Sequence, residues 1–164
     1  MEELEKQKIF LSKVRNDKDF AISQHRKMWI WISRQYAKCR KETVGHLKRE
    51  YIKKYCFNAD VFCFCFCCEY VWNNKERHIE RCSNCILKWS EKSCTNEDSE
   101  YERLTDAVDI LCDSQIPGIG FLKSPYFKSK RQNALAKELI KQGRKCAKLA
   151  YKISQLPENG ISRR

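Results

Sequence analysis

With 33 Lys and Arg against 21 Asp and Glu in 164 residues, the chain carries a formal charge of +12, more one-sided than solubility alone requires, and an anionic partner is expected. The length suits one domain, 1–164, and leaves little room for two independent cores. No apolar run approaches the ~20 residues of a membrane span, and Met1 to Lys8 is not followed by a signal-peptide core, so the expectation is a soluble protein of the cytoplasm without a membrane partner.

The charge is segregated along the chain. Residues 1–55 hold 15 basic and 7 acidic side chains (+8), residues 56–115 hold 6 and 12 (−6), and residues 116–164 hold 12 and 2 (+10). In the first basic flank, Met28, Trp31, Ile32 and Tyr36 recur at helical spacing and predict a helix over Gln24–Cys39, with Ser23 as N-cap. Trp29 and Ile30 widen its apolar arc, so more than one side is expected to be buried. A second helix is predicted over Thr43–Tyr55: Val44, Leu47, Tyr51 and Tyr55 form its apolar stripe, and Lys48, Arg49, Lys53 and Lys54 its basic face.

The acidic centre opens on an aromatic run, Phe57 to Tyr70, in which Phe62, Phe64 and Phe66 alternate among cysteines as in a short strand. A β-hairpin is predicted around Asn73-Asn74. Leu104, Val108, Leu111 and Cys112 predict an acidic amphipathic helix over Glu100–Ser114. The stretch from Ile116 to Lys130, with two glycines and Pro125, predicts an ordered loop on which Phe121, Tyr126 and Phe127 dock. The second basic flank then predicts a helix over Gln132–Gln155. Leu135, Leu139, Cys146, Ala150 and Ile153 lie on one side, opposite Lys137, Lys141, Arg144, Lys145, Lys148 and Lys152. Gly143 inside it marks a kink or a close helix contact, and Pro157 stops the pattern.

Chemistry is concentrated in the cysteines. Cys65 and Cys68, then Cys82 and Cys85, form two Cys-x-x-Cys knuckles with 13 residues between them, a spacing that lets four thiolates close a tetrahedron around one structural zinc ion. The hairpin around Asn73-Asn74 would join the two knuckles. Cys63, Cys67 and Cys94 are close enough in sequence to be additional ligands. Cys39, Cys112 and Cys146 fall on helix stripes as small hydrophobes. An odd total of 11 cysteines without an export signal favours metal in a reducing compartment over a disulfide scaffold. Four thiolates leave no open position for a substrate or water, so the site reads as structural. His78-Ile79-Glu80 before the second knuckle is superficially like a deaminase motif, but it stands two residues from Cys82 and the proline of that motif is absent. His25 and His46 have no recognisable catalytic partners in sequence, and no phosphate-binding loop or nucleophile elbow occurs. The expectation is a protein that is not an enzyme. Trp31 and Trp89 read as core and not as base-stacking groups.

Four segments, His25 to Ile32 (HRKMWIWI), Cys65 to Tyr70 (CFCCEY), Cys82 to Trp89 (CSNCILKW) and Leu149 to Gly160 (LAYKISQLPENG), resemble small cysteine-rich zinc-knuckle proteins of phages and prophages of Firmicutes. In such sequences a proline and an acidic residue often precede the tryptophan of the second knuckle; Ile86 and Lys88 stand there in this chain. The resemblance implies a phage setting, the cytoplasm of an infected bacterial host, and a zinc fold, without implying a reaction.

These observations predict a mainly α fold: a small helical domain with a central four-cysteine zinc-knuckle module and a short β-hairpin. The acidic charge of the metal segment makes it a staple, and the basic helices the binding surface. The expected function is that of a phage accessory protein engaging nucleic acid, a nucleotide or a host nucleoprotein complex, as an inhibitor of bacterial antiviral defence. The alternative is a phage DNA- or RNA-binding regulator with a structural zinc.

Overall fold

In the computed structural model, residues 2–61, 64–74, 85–90, 93–113 and 130–159 are described, the side chains of 130–132 excepted. They form six helices: α1 (Glu3–Asn16), α2 (Lys18–Ala37), α3 (Val44–Tyr55), α4 (Phe66–Asn74), α5 (Glu100–Asp113) and α6 (Lys130–Ser154). The fold is mainly α, and the described residues contain no strand beyond an isolated antiparallel bridge between Leu87 and Glu158. No described helix is long and apolar enough to cross a membrane.

Asp17 alone separates α1 from α2 and serves both. Its backbone N–H bonds to the Lys13 carbonyl at 3.0 Å, closing α1, while its carboxylate accepts the Phe20 N–H at 2.9 Å, opening α2. Helix α2 therefore starts six residues before the predicted Gln24. Helix α1 is not anticipated from its residues because its apolar content is thin; Phe10 and Val14, one turn apart, are its buried residues. Phe10 packs edge-on against Phe20 at 5.7 Å and Phe66 at 5.9 Å, joining α1, α2 and α4. The Arg15 guanidinium pairs with the buried Glu69 carboxylate at 2.6 Å, fixing α1 to α4 a second time.

Helices α2 and α6 form the long pair at the centre of the molecule. Buried positions on α6 run Leu139, Gly143, Cys146, Ala150 and Ile153, a stripe whose small members let the helices approach closely. A Cβ at Gly143 would stand 2.8 Å from the Tyr36 carbonyl oxygen and 2.9 Å from Cys39 Sγ. Gly143 is therefore a close helix contact inside a continuous helix. Leu135, expected on this stripe, is 40% exposed because it lies beyond the end of α2. Helix α5 packs on the other flank of α6, where Glu100 pairs with Lys152 at 3.4 Å.

The C-terminus of α2 is closed by a Schellman turn. Cys39 takes φ 57°, its N–H bonding to the Tyr36 carbonyl at 2.8 Å and the Arg40 N–H reaching the Gln35 carbonyl at 3.3 Å. Thr43 caps α3 by accepting the His46 N–H. Helix α5 keeps its predicted limits to within one residue.

Two local expectations fail. Phe66 to Tyr70, predicted as the end of a strand, is the first turn of α4, and Asn73-Asn74, predicted as a hairpin, is the last. The period of two among Phe62, Phe64 and Phe66 competes with a helical period in which Phe66 and Tyr70, and Cys67 and Val71, share a buried face; tertiary packing selects the latter. The predicted loop over 116–129 lies outside the described residues.

Candidate metal centre and basic surface

Cys65 immediately precedes α4, and its carbonyl accepts the Glu69 N–H at 3.0 Å. The knuckle thus forms the opening turn of a helix, where exposed N–H groups favour thiolate over thiol. Cys67 is fully buried, and Cys65 and Cys68 are half-buried. Hydrogen bonds from the Cys67 and Cys68 thiols, and one from His25, hold Cys65 well below the ordinary thiol range against the opposing effect of burial. Conversely, burial raises Cys67, and donation to Cys65 raises Cys68. The three sulfurs of the first knuckle thus form one hydrogen-bonded cluster.

Cys85 of the second knuckle approaches the first. Cys85 acts electrostatically on both Cys67 and Cys68, and Cys94 acts on Cys68. The Trp89 indole N–H donates to Cys85 Sγ at 3.4 Å, which places Trp89 in the core as predicted, with 7% exposure. Residues 86–88 are anchored by the chain beyond α6. The Lys88 N–H bonds to the Pro157 carbonyl, the Asn159 N–H to the Ile86 carbonyl, and the Asn159 amide to the Cys85 carbonyl.

His25 completes the cluster and is the residue that sequence reasoning missed. It is 1% exposed on α2, with Nδ1 3.9 Å from Cys65 Sγ and Nε2 buried without a hydrogen-bond partner. Its signal is faint, a lone histidine on the apolar face of α2, and only the fold brings it across 40 residues to the thiol. Helix α2 thus meets the first knuckle through His25 and Cys65, and the chain after α6 holds the residues next to Cys85.

Of the predicted ligands, Cys65, Cys68 and Cys85 are thus brought to one region together with Cys67 and Cys94, while Cys82 and Cys63 lie outside the described residues, as does His78-Ile79-Glu80. Among the described residues, no three His, Cys, Asp or Glu side chains are set around one point for an ion, since the sulfurs of the first knuckle hydrogen-bond to one another instead. The donor chemistry nevertheless fits a soft divalent metal: several thiols, one of them held well below the ordinary thiol range, with an imidazole beside it. Outside the cluster, burial raises the thiols of Cys39 and Cys112, and those of Cys146 to about 11 and Cys56 to about 12. Neutral thiols of this kind are packing groups. The Cys112 thiol also donates to the Lys41 carbonyl at 2.6 Å.

The predicted basic residues divide. On α6, Lys137, Lys141, Arg144, Lys145 and Lys148 are all exposed and, with Ile140, line a groove of about 840 Å³. On α3, Arg49, Lys53 and Lys54 are exposed, but Lys48 is buried at 7%. The Lys48 ammonium lies 4.6 Å from the Tyr101 ring centroid and 5.1 Å from that of Trp29, a cation held over two aromatic faces. Lys48 is therefore removed from the binding face: Ile52, not Tyr55, continues the buried stripe, and this rotates position 48 inward. Arg49 and Lys53 line a second groove of about 670 Å³, where Glu50 and Asp60 offset their charge.

No family model matches the chain, and neither a curated protein nor a solved structure matches it.

Proposed function

We propose that this is a non-enzymatic binding protein in which a thiol-bound zinc ion staples a helical body and the basic face of α6 engages a polyanion, nucleic acid foremost. The observation that carries the proposal is the row Lys137, Lys141, Arg144, Lys145 and Lys148, exposed along one groove. Glu138, 3.7 Å from Lys141, is the carboxylate paired with this row among the described residues. Five cations over twelve residues of helix span about 16 Å, enough to follow several phosphates of one strand.

Zinc would be held by Cys65, Cys68, Cys82 and Cys85, with Cys63, Cys67 and Cys94 as further thiols in reach and His25 beside Cys65. It would supply cross-linking free energy to the segment between α3 and α5. The cysteine frame and its resemblance to phage proteins support a setting in an infected bacterium, where the polyanion belongs to a host nucleoprotein defence complex that the protein inhibits. The described acidic residues of α5 and the basic α6 would meet different parts of such a complex.

Titration of labelled DNA and RNA at several salt concentrations tests the binding claim. The expected affinity falls with a log–log slope of about −3.5 on single strands, from about five phosphate contacts at about 0.7 each. Absence of binding at low salt to DNA and RNA alike would overturn it.

A further inference from the structure

Helix α2 lies between two neighbours on its outer side. Trp31 meets Tyr51 at 5.7 Å and Tyr55 at 6.2 Å, which puts α3 along one flank. The Ser33 hydroxyl donates to the Ala147 carbonyl at 2.9 Å, which puts α6 along the other. Lys27, Arg34 and Lys38, at positions i, i+7 and i+11, are exposed on the strip of α2 between these flanks. Next to Ala147 on α6, the helical repeat places Ile140, Arg144, Lys148 and Tyr151 toward the same side.

The surface so formed alternates rings and cations. Tyr55 is 47% and Tyr151 52% exposed. Trp31 is half-buried beneath Tyr55, and the Tyr51 and Tyr55 rings lie 5.0 Å apart at an angle of 43°. Among the described residues, Lys27, Arg34, Lys38, Lys54, Arg144 and Lys148 have no carboxylate partner. Cations alone would serve a duplex equally well. Among nucleic acids, exposed rings find partners where bases are unstacked and present their faces.

We infer that the α3–α2–α6 face binds single-stranded nucleic acid, with bases stacked on Tyr55 and Tyr151 and the backbone held by Arg34, Lys54 and Arg144. The inference rests on the polyanion reading above and narrows it to one class of ligand.

The test uses the full chain with a labelled twelve-nucleotide oligo(dT) and a duplex of equal phosphate number, titrated by anisotropy at several salt concentrations. The wild type is expected to bind the single strand more tightly than the duplex. Tyr55→Ala and Tyr151→Ala should each weaken single-strand binding about fivefold or more and leave the salt slope unchanged. Tyr55→Trp, which keeps the packing against Trp31, should restore binding, so that a fold defect in the alanine variant is recognised. Arg34→Glu should instead flatten the salt slope. Duplex binding equal to or tighter than the single strand, or both alanine variants binding like wild type, would overturn the inference while leaving polyanion binding intact. No binding of either probe would sink both.

Discussion

Cys65 stands at the start of a helix beside two thiols and the His25 imidazole, and hydrogen bonding to them holds its thiol well below the ordinary range. Cys65→Ser should therefore lower the thermal midpoint and abolish stoichiometric zinc; a variant with unchanged midpoint and full zinc content would remove Cys65 from the ligand set. A different kind of residue-scale effect is expected at Arg40, whose guanidinium bonds Glu42 at 2.7 Å and Glu50 at 2.8 Å. Arg40 holds both carboxyls below the ordinary carboxylate range. A lowered folded-state value means that the stabilisation is present above the unfolded value and is lost as pH falls through the lowered one. These groups are partly exposed, so Arg40→Gln should cost only about 0.5–1 kcal/mol near neutrality. The difference from wild type in urea titrations should shrink as pH falls below the ordinary carboxylate range and vanish once it is below the lowered values of Glu42 and Glu50. A deficit that persists there would assign Arg40 a packing role instead.

At the scale of elements, the α2–α6 contact is limited by backbone and not by a flexible side chain. Gly143→Ala, favourable in an isolated helix, should lower stability by about 1–3 kcal/mol, since the added methyl meets the Tyr36 carbonyl and the Cys39 residue. An unchanged or raised urea midpoint would show that α6 can shift away freely. Reversing charge at Arg49 and Lys53 should leave folding intact, because both are exposed, and should affect polyanion binding less than reversal at Lys141, Arg144 and Lys148. Equal losses from both sets in anisotropy titrations would bring the groove beside Arg49 and Lys53 into the binding site. The amphipathic helices were legible in the sequence where one period dominated: α3, α5 and α6 begin and end within about two residues of expectation. Helix α1 and the first turn of α2 were not, because two buried apolar residues and a shared aspartate cap leave little periodic signal. Helix α4 carried two periods at once, and only its packing on Phe10 and Glu69's pairing with Arg15 decide between them.

For the whole molecule, the acidic α5 packs directly against the basic α6, and the Glu100–Lys152 pair joins them. The thiol cluster joins α2, α4 and the chain after α6, so a metal there would tie together elements that are far apart in sequence. The knuckle thiols were visible from spacing alone. The histidine beside them was not, and neither was the loss of Lys48 from the basic face, because both depend on which neighbours α2 and α5 supply. The division of labour between a metal-stapled centre and a cationic surface stands or falls on the metal. Elemental analysis of the purified, reduced chain should return one zinc per molecule; chelator should lower the thermal midpoint, and readdition of zinc should restore it. A reduced, fully folded chain with no bound metal, indifferent to chelator, would contradict the account.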